Sequence, residues 1–68
     1  MRNRIGKILH DLGVQERAFA REIGLEEGHF NRIKNGRQTP GLLTALRIAQ
    51  GLGWSVEAVF WIEENGDG

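Results

Sequence analysis

An all-α fold is what the sequence predicts: five short helices in one compact unit, the second and third joined by a tight glycine turn. Three observations predict it. Apolar residues recur at helical spacing in separate segments of the chain. Glycine, alone or after asparagine, stands just past four of those segments, at Gly13, Gly24, Asn35-Gly36 and Gly53. An apolar pair with the N′-to-N4 spacing of a hydrophobic staple occurs three times, as Val14/Phe19, Leu25/Phe30 and Trp54/Val59.

The first helix spans about residues 3–12. Ile5, Ile8, Leu9 and Leu12 form its stripe, Asn3 is a candidate cap, and Gly13 suits the left-handed residue beyond its end. The second helix starts after Gln15 and turns Ala18, Phe19 and Ile23 inward, with Ala20 small where the next helix crosses. Gln is a poor capping residue, so the Val14/Phe19 staple carries that boundary. The third helix spans about 27–34 with Glu26 as N-cap. It buries Phe30 and Ile33 and presents Gly28, Asn31, Arg32 and Asn35 on the opposite side, with Glu27 and Lys34 at an edge.

The fourth helix carries Leu42, Ala45, Leu46, Ala49 and Leu52. Either Thr39-Pro40 as N-cap and N1, or Gly41 as cap, fits its start. The fifth spans about 56–62 from Ser55, with Val56, Val59 and Phe60 inward and Trp54 also placed in the core. Residues 1–62 thus form a single domain, and the acidic, glycine-rich stretch 63–68 is expected to fray.

Sixty-eight residues allow one domain, whose core must be small. Cysteine is absent, which removes disulfides, thiolate nucleophiles and Cys-based zinc sites from consideration. Two histidines without a paired carboxylate pattern do not suggest a metal site. No nucleophile–base arrangement or phosphate-binding glycine loop is recognisable, so neither an enzyme nor a cofactor is expected. The apolar runs are too short to span a bilayer, and the N-terminal stretch lacks a signal-like pattern, so a soluble cytoplasmic protein without a membrane partner is expected. Net charge is zero, but unevenly divided: residues 1–50 hold all nine bases against five acids, and residues 51–68 hold four acids and no base. Such asymmetry suits a basic working face with an acidic far end.

Helix, glycine turn and helix from Gln15 to Gly36 form a motif whose well-known use is to place its second helix in the DNA major groove. The ordered set of Gly13, Ala20, Gly24, Leu25, Phe30, Ile33, Asn35-Gly36, Pro40 and the run from Leu46 to Gly53 resembles the Cro/cI-type (XRE-like) helix-turn-helix family over roughly residues 4–60. The resemblance implies a five-helix lambda-repressor-like DNA-binding domain, dimeric on palindromic operators, and a transcriptional regulator, usually a repressor. Carried over by position, base contacts fall to Glu27, Gly28, Asn31 and Arg32, and DNA-backbone contacts to Gln15, Arg17, Lys34, Asn35, Arg37 and Gln38. Asn suits adenine and Arg suits guanine in the major groove.

The chain departs from the family pattern at three places. A small hydroxyl residue followed by Gln is common at the start of the second helix, where Gln15-Glu16 stands here; Ser or Thr is usual where Glu26 stands. A family ion pair between the first helix and the residue before Asn-Gly has both partners replaced, by Leu9 and Lys34, which leaves Lys34 free for DNA. Glu26 and Glu27 either stabilise a helix N-terminus, or Glu27 accepts from cytosine or repels wrong sequences. Of Trp61 and Ile62 at least one is expected to be exposed, and a symmetric dimer contact through the fifth helix would cover them; folding back onto the first or fourth helix is the alternative. A second functional reading is a protein-interaction module on the same fold, such as an antitoxin subunit or a regulator's partner, with weak or no DNA binding and a protein partner of antitoxin or anti-repressor type. The glutamates at 16, 26 and 27 and the zero net charge favour it.

Overall fold

Each glycine stop ends a helix where the spacing places it. The computed structural model describes residues 1–63 and orders them as β1 (Arg2–Asn3), α1 (Ile5–Leu12), α2 (Glu16–Glu22), α3 (Glu27–Lys34), α4 (Leu42–Leu52), α5 (Val56–Val59) and β2 (Phe60–Trp61). Gly24, between α2 and α3, has φ +80°, a left-handed conformation that glycine adopts without the Cβ penalty. Its neighbour Leu25 donates its N–H to the Ala20 carbonyl at 2.9 Å, closing the α2 end before the chain enters α3. Gly41 is the residue that caps α4, so of the two starts open in the sequence the structure takes the later one.

The core is formed by one face of every helix. Ile5, Phe30, Ile33, Ile48 and Val59 are its largest fully buried side chains, and the Phe19 and Phe30 rings meet tilted at 52° with centroids 5.5 Å apart. Aromatic rings favour tilted arrangements because the positive edge of one ring meets the negative face of another. α4 approaches α2 so closely that a Cβ on Gly51 would stand 2.9 Å from both Ile23 Cγ2 and Phe19 Cζ.

Several expected core positions are instead exposed. Leu12 lies at the last turn of α1 with 55% exposure, Leu42 at the first turn of α4 with 73%, and Leu46 and Ala18 also face outward. The buried α4 stripe is Ala45, Ile48, Ala49 and Leu52, which keeps Ala45, Ala49 and Leu52 of the expected one and takes Ile48 in place of Leu42 and Leu46. Both stripes satisfy helical spacing, so periodicity alone does not choose between them. Trp54, expected in the core, is 46% exposed.

The fifth helix is shorter than expected. It stops at Val59, Phe60 takes an extended backbone (φ −121°, ψ 144°), and Phe60–Trp61 pair antiparallel with Arg2–Asn3 in the register Arg2↔Trp61 and Asn3↔Phe60. Arg4 N–H continues the contact to the Val59 carbonyl at 3.0 Å. The run Val59-Phe60-Trp61-Ile62 is β-branched and aromatic, the side chains that fit a pleated strand. The pairing also buries Phe60. Trp61 remains partly exposed under the Arg4 guanidinium, 4.8 Å from the ring centroid, a cation–π contact.

Asn3 serves two elements. Its Oδ1 accepts the Ile5 N–H at 2.9 Å, although Arg4 is the residue at the N-cap position of α1. Its Nδ2 donates to the Ile33 and Lys34 carbonyls at 3.1 and 3.2 Å. Those carbonyls belong to the α3 C-terminus, where helix acceptors have no partner inside the helix. The expected frayed stretch begins at Glu63, which pairs with Arg2 at 2.6 Å; residues 64–68 lie outside the described residues. Among the described residues no helix is long and apolar enough to cross a membrane.

Candidate nucleic-acid interface

The outward side of α3 is polar because Phe30 and Ile33 take the inward side, leaving Asn31, Arg32 and Asn35 exposed. Gln15 starts α2 in an extended conformation without a side-chain capping bond, so its amide stays at the surface beside Glu16. Glu26 caps α3 with its own side chain: Oε1 accepts the His29 N–H at 3.2 Å. The stabilising role open to Glu26 in the sequence is therefore the one the structure displays, an anion at the positive end of a helix.

Three separate hydrogen-bonded groups hold the rest of this face. Glu16 uses both carboxylate oxygens, one taking Lys34 Nζ at 2.7 Å and the other Asn31 Nδ2 at 3.0 Å. Asn31 Oδ1 in turn accepts Asn35 Nδ2 at 3.1 Å. Arg32 Nε donates to Gln38 Oε1 at 3.1 Å, and Gln38 Nε2 meets His29 Nε2 at 3.2 Å. Arg17 Nε pairs with Glu27 Oε1 at 3.3 Å across the glycine turn. Arg37 is exposed, held near α3 by its backbone N–H on the Arg32 carbonyl at 2.9 Å.

Lys34 is thus not free, as the sequence alone suggested; Glu16, eighteen positions earlier, holds it. Burial alone would raise the Glu16 pKa, but the hydrogen bonds from Lys34 and Asn31 and the Lys34 charge outweigh it and hold the carboxyl below its ordinary value. A Cβ on Gly28 would stand 3.2 Å from Glu26 Oε2 and 3.6 Å from Arg32 Nη1, both the far ends of exposed side chains.

No family-level sequence profile matches the chain. The chain is 28% identical over 65 residues to the uncharacterized HTH-type transcriptional regulator YgzD of Bacillus subtilis (strain 168), covering 96% of this chain and 98% of that protein. It is 31% identical over 67 residues to an uncharacterized HTH-type transcriptional regulator of Methanothermobacter thermautotrophicus, covering 97% of each. The chain belongs to the HTH-type transcriptional regulators.

In this regulator the structure brings most of the sequence-selected residues onto one surface. Asn31 and Asn35 are bonded to each other, Arg32 to Gln38, and Arg17 to Glu27, while Lys34 reaches Asn31 through Glu16. Gln15 makes no side-chain capping bond and Arg37 is held to α3 by its backbone N–H, so neither side chain joins those groups among the described residues. Two members of the face were not selected from the sequence. His29 is one of them, and its ring nitrogen bonds Gln38. Glu16 reads in the sequence as a departure from the family pattern and as a charge that opposes DNA binding, and no local signal points to its pairing with Lys34, eighteen positions away on another helix.

Proposed function

We propose that this regulator is a sequence-specific DNA-binding protein of Cro/cI (XRE-like) type, acting in the cytoplasm as a repressor and binding its operator as a homodimer through α3. One observation carries the reading. The exposed side of α3 bears Asn31, Arg32 and Asn35, hydrogen-bonding side chains that the core does not use and that neighbouring polar groups hold in place. Asn31 and Arg32 are assigned to base edges, with Glu27 at the margin and Gly28 at the point of close approach. Gln15, Arg17, Lys34, Asn35, Arg37 and Gln38 are assigned to the phosphodiester backbone, which fixes register without reading sequence. Trp61 and Ile62 are assigned to the dimer contact, by which two recognition helices would reach half-sites ~34 Å apart.

Exposed hydrogen bonds and ion pairs of the kind seen here contribute roughly 0–1 kcal/mol each, so DNA can exchange them for contacts of its own. The test is selection from a random pool of duplexes by the purified protein at low salt. Enrichment of a palindromic sequence supports the reading, and recovery of an unselected pool sinks it. On the selected duplex, Arg32→Ala is expected to cost about 1–3 kcal/mol and to relax preference at one base pair per half-site. An unchanged preference would remove Arg32 from the base contacts.

A second reading is favoured by a specific observation: Glu16 and Glu27 already neutralise Lys34 and Arg17 on the face that phosphate would meet. In that reading the domain is a protein-interaction module of antitoxin or anti-repressor-target type with weak DNA binding. The same selection separates the two.

A further inference from the structure

Four ion pairs join described residues, and one differs from the rest. The side chains of Arg2–Glu63, Lys7–Asp11 and Arg17–Glu27 are all at least 50% exposed, whereas Lys34 and Glu16 are 27% and 23% exposed. Water and salt screen a partly buried pair less, so this one competes more strongly with an incoming anion. It also spans the two ends of the motif, Glu16 in the first turn of α2 and Lys34 in the last turn of α3. The same carboxylate holds the Asn31 amide, so a single acidic residue engages one cation and one hydrogen-bonding side chain of the recognition helix.

We propose that Glu16 limits the affinity of this face for DNA: its carboxylate occupies Lys34 in place of a DNA phosphate, and so holds down the sequence-independent part of binding, enough that DNA without base contacts is bound poorly. The proposal rests on the DNA-binding reading above. A phosphodiester that approaches Lys34 must displace a carboxylate tethered at 2.7 Å, and it gains only an exchange of one anion for another. Random-sequence DNA offers nothing further to compensate. An operator adds base contacts to Asn31 and Arg32, which offset the loss of the internal pair. The carboxylate therefore lowers the sequence-independent part of binding, which both duplexes share, and leaves the base contacts to decide which duplex is still bound.

The test compares the full chain with Glu16→Gln on a random-sequence duplex and on the selected operator, across a salt series. Glutamine retains an oxygen that accepts from Asn31 and lacks the charge that holds Lys34. Releasing one lysine to phosphate is expected to steepen the slope of log K against log salt by about 0.9. Affinity is expected to rise about three- to tenfold on the random duplex and by a similar factor on the operator, because the lost pair belongs to the free protein and the base contacts are unchanged. Glu16→Ser, which removes the carboxylate altogether, is expected to do the same, and thermal melting checks that each variant is folded.

In a Lys34→Met background the gain from Glu16→Gln is expected to vanish. Persistence of the gain there would overturn the proposal, because Glu16 would then act as a general repulsive charge. An unchanged random-duplex affinity, or a rise confined to the operator, would overturn it too. If the folded wild type and both variants bind no duplex at low salt, it is the DNA-binding reading that fails; if wild type selects an operator and the variants match it, only the role of Glu16 fails.

Discussion

A carboxylate at residue 16 acts on folding and on DNA approach with opposite signs. In the free protein it stabilises, since it pairs with Lys34 and stands in the first turn of α2, where the helix dipole favours an anion. Its folded-state pKa lies below the ordinary glutamate value, so the folded state binds its proton less readily than the unfolded chain does. The contribution is therefore fully present above the ordinary glutamate range and is lost as pH falls through the lowered folded value. Glu16→Gln should cost on the order of 1 kcal/mol of stability at about pH 7, and the difference should shrink at an acid pH below the ordinary glutamate range. Denaturant unfolding of both proteins at the two pH values checks this. A deficit that persists in acid would mean that the carboxylate contributes through shape and not through charge. At this scale the sequence was only half legible. Asn31 and Arg32 could be selected because a helical wheel places them opposite Phe30 and Ile33. The Glu16–Lys34 pair could not, because its partners sit on different helices and their distance is set by how α2 and α3 cross.

Helix starts were the most legible elements, because staples and caps are local: α3 begins and ends where the Leu25/Phe30 pair and Asn35-Gly36 place it. The β1–β2 pair was not legible. Its two strands are two residues each and lie at opposite ends of the chain, so neither is long enough to show an alternating pattern. Gly51 was read as part of a family-like run, and only the packing shows what it does. In an exposed helix, glycine to alanine gains about 1 kcal/mol of propensity. Here the added methyl would meet Ile23 Cγ2 and Phe19 Cζ at 2.9 Å, and overpacking a close contact costs about 1–3 kcal/mol. Gly51→Ala is accordingly expected to lower Tm by several degrees, the shift that about 1 kcal/mol produces in a domain this small. A raised Tm would show that α4 moves away from α2 without strain and that propensity decides the outcome.

For the molecule as a whole, what needs an account is the apolar surface away from α3. Met1, Pro40, Leu42, Val56, Trp61 and Ile62 are among the residues that line a groove of about 520 Å³ where α4, α5 and β2 meet, and Leu42 and Ile62 are 73% and 75% exposed. The sequence placed the dimer contact on a fifth helix extending to residue 62. The contact is now assigned to a strand end and this groove, because α5 stops at Val59. Trp61 is a poor probe, since its backbone pairs with Arg2 and its ring carries Arg4. Ile62 lies beyond the strand and can be changed without touching the core. Burying an isoleucine is worth about 1.5–3 kcal/mol, and in a two-fold contact the residue counts twice. Ile62→Ser should therefore leave the melting of the isolated domain nearly unchanged and raise the dimer dissociation constant by more than about tenfold. Operator binding should shift with it, because loss of the dimer divides one two-site event into two weak ones. Light scattering across a concentration series, paired with titration of the selected duplex, measures both effects. A wild type that stays monomeric at high concentration and occupies the two half-sites independently would remove the dimer, and would leave each domain to read its half-site alone.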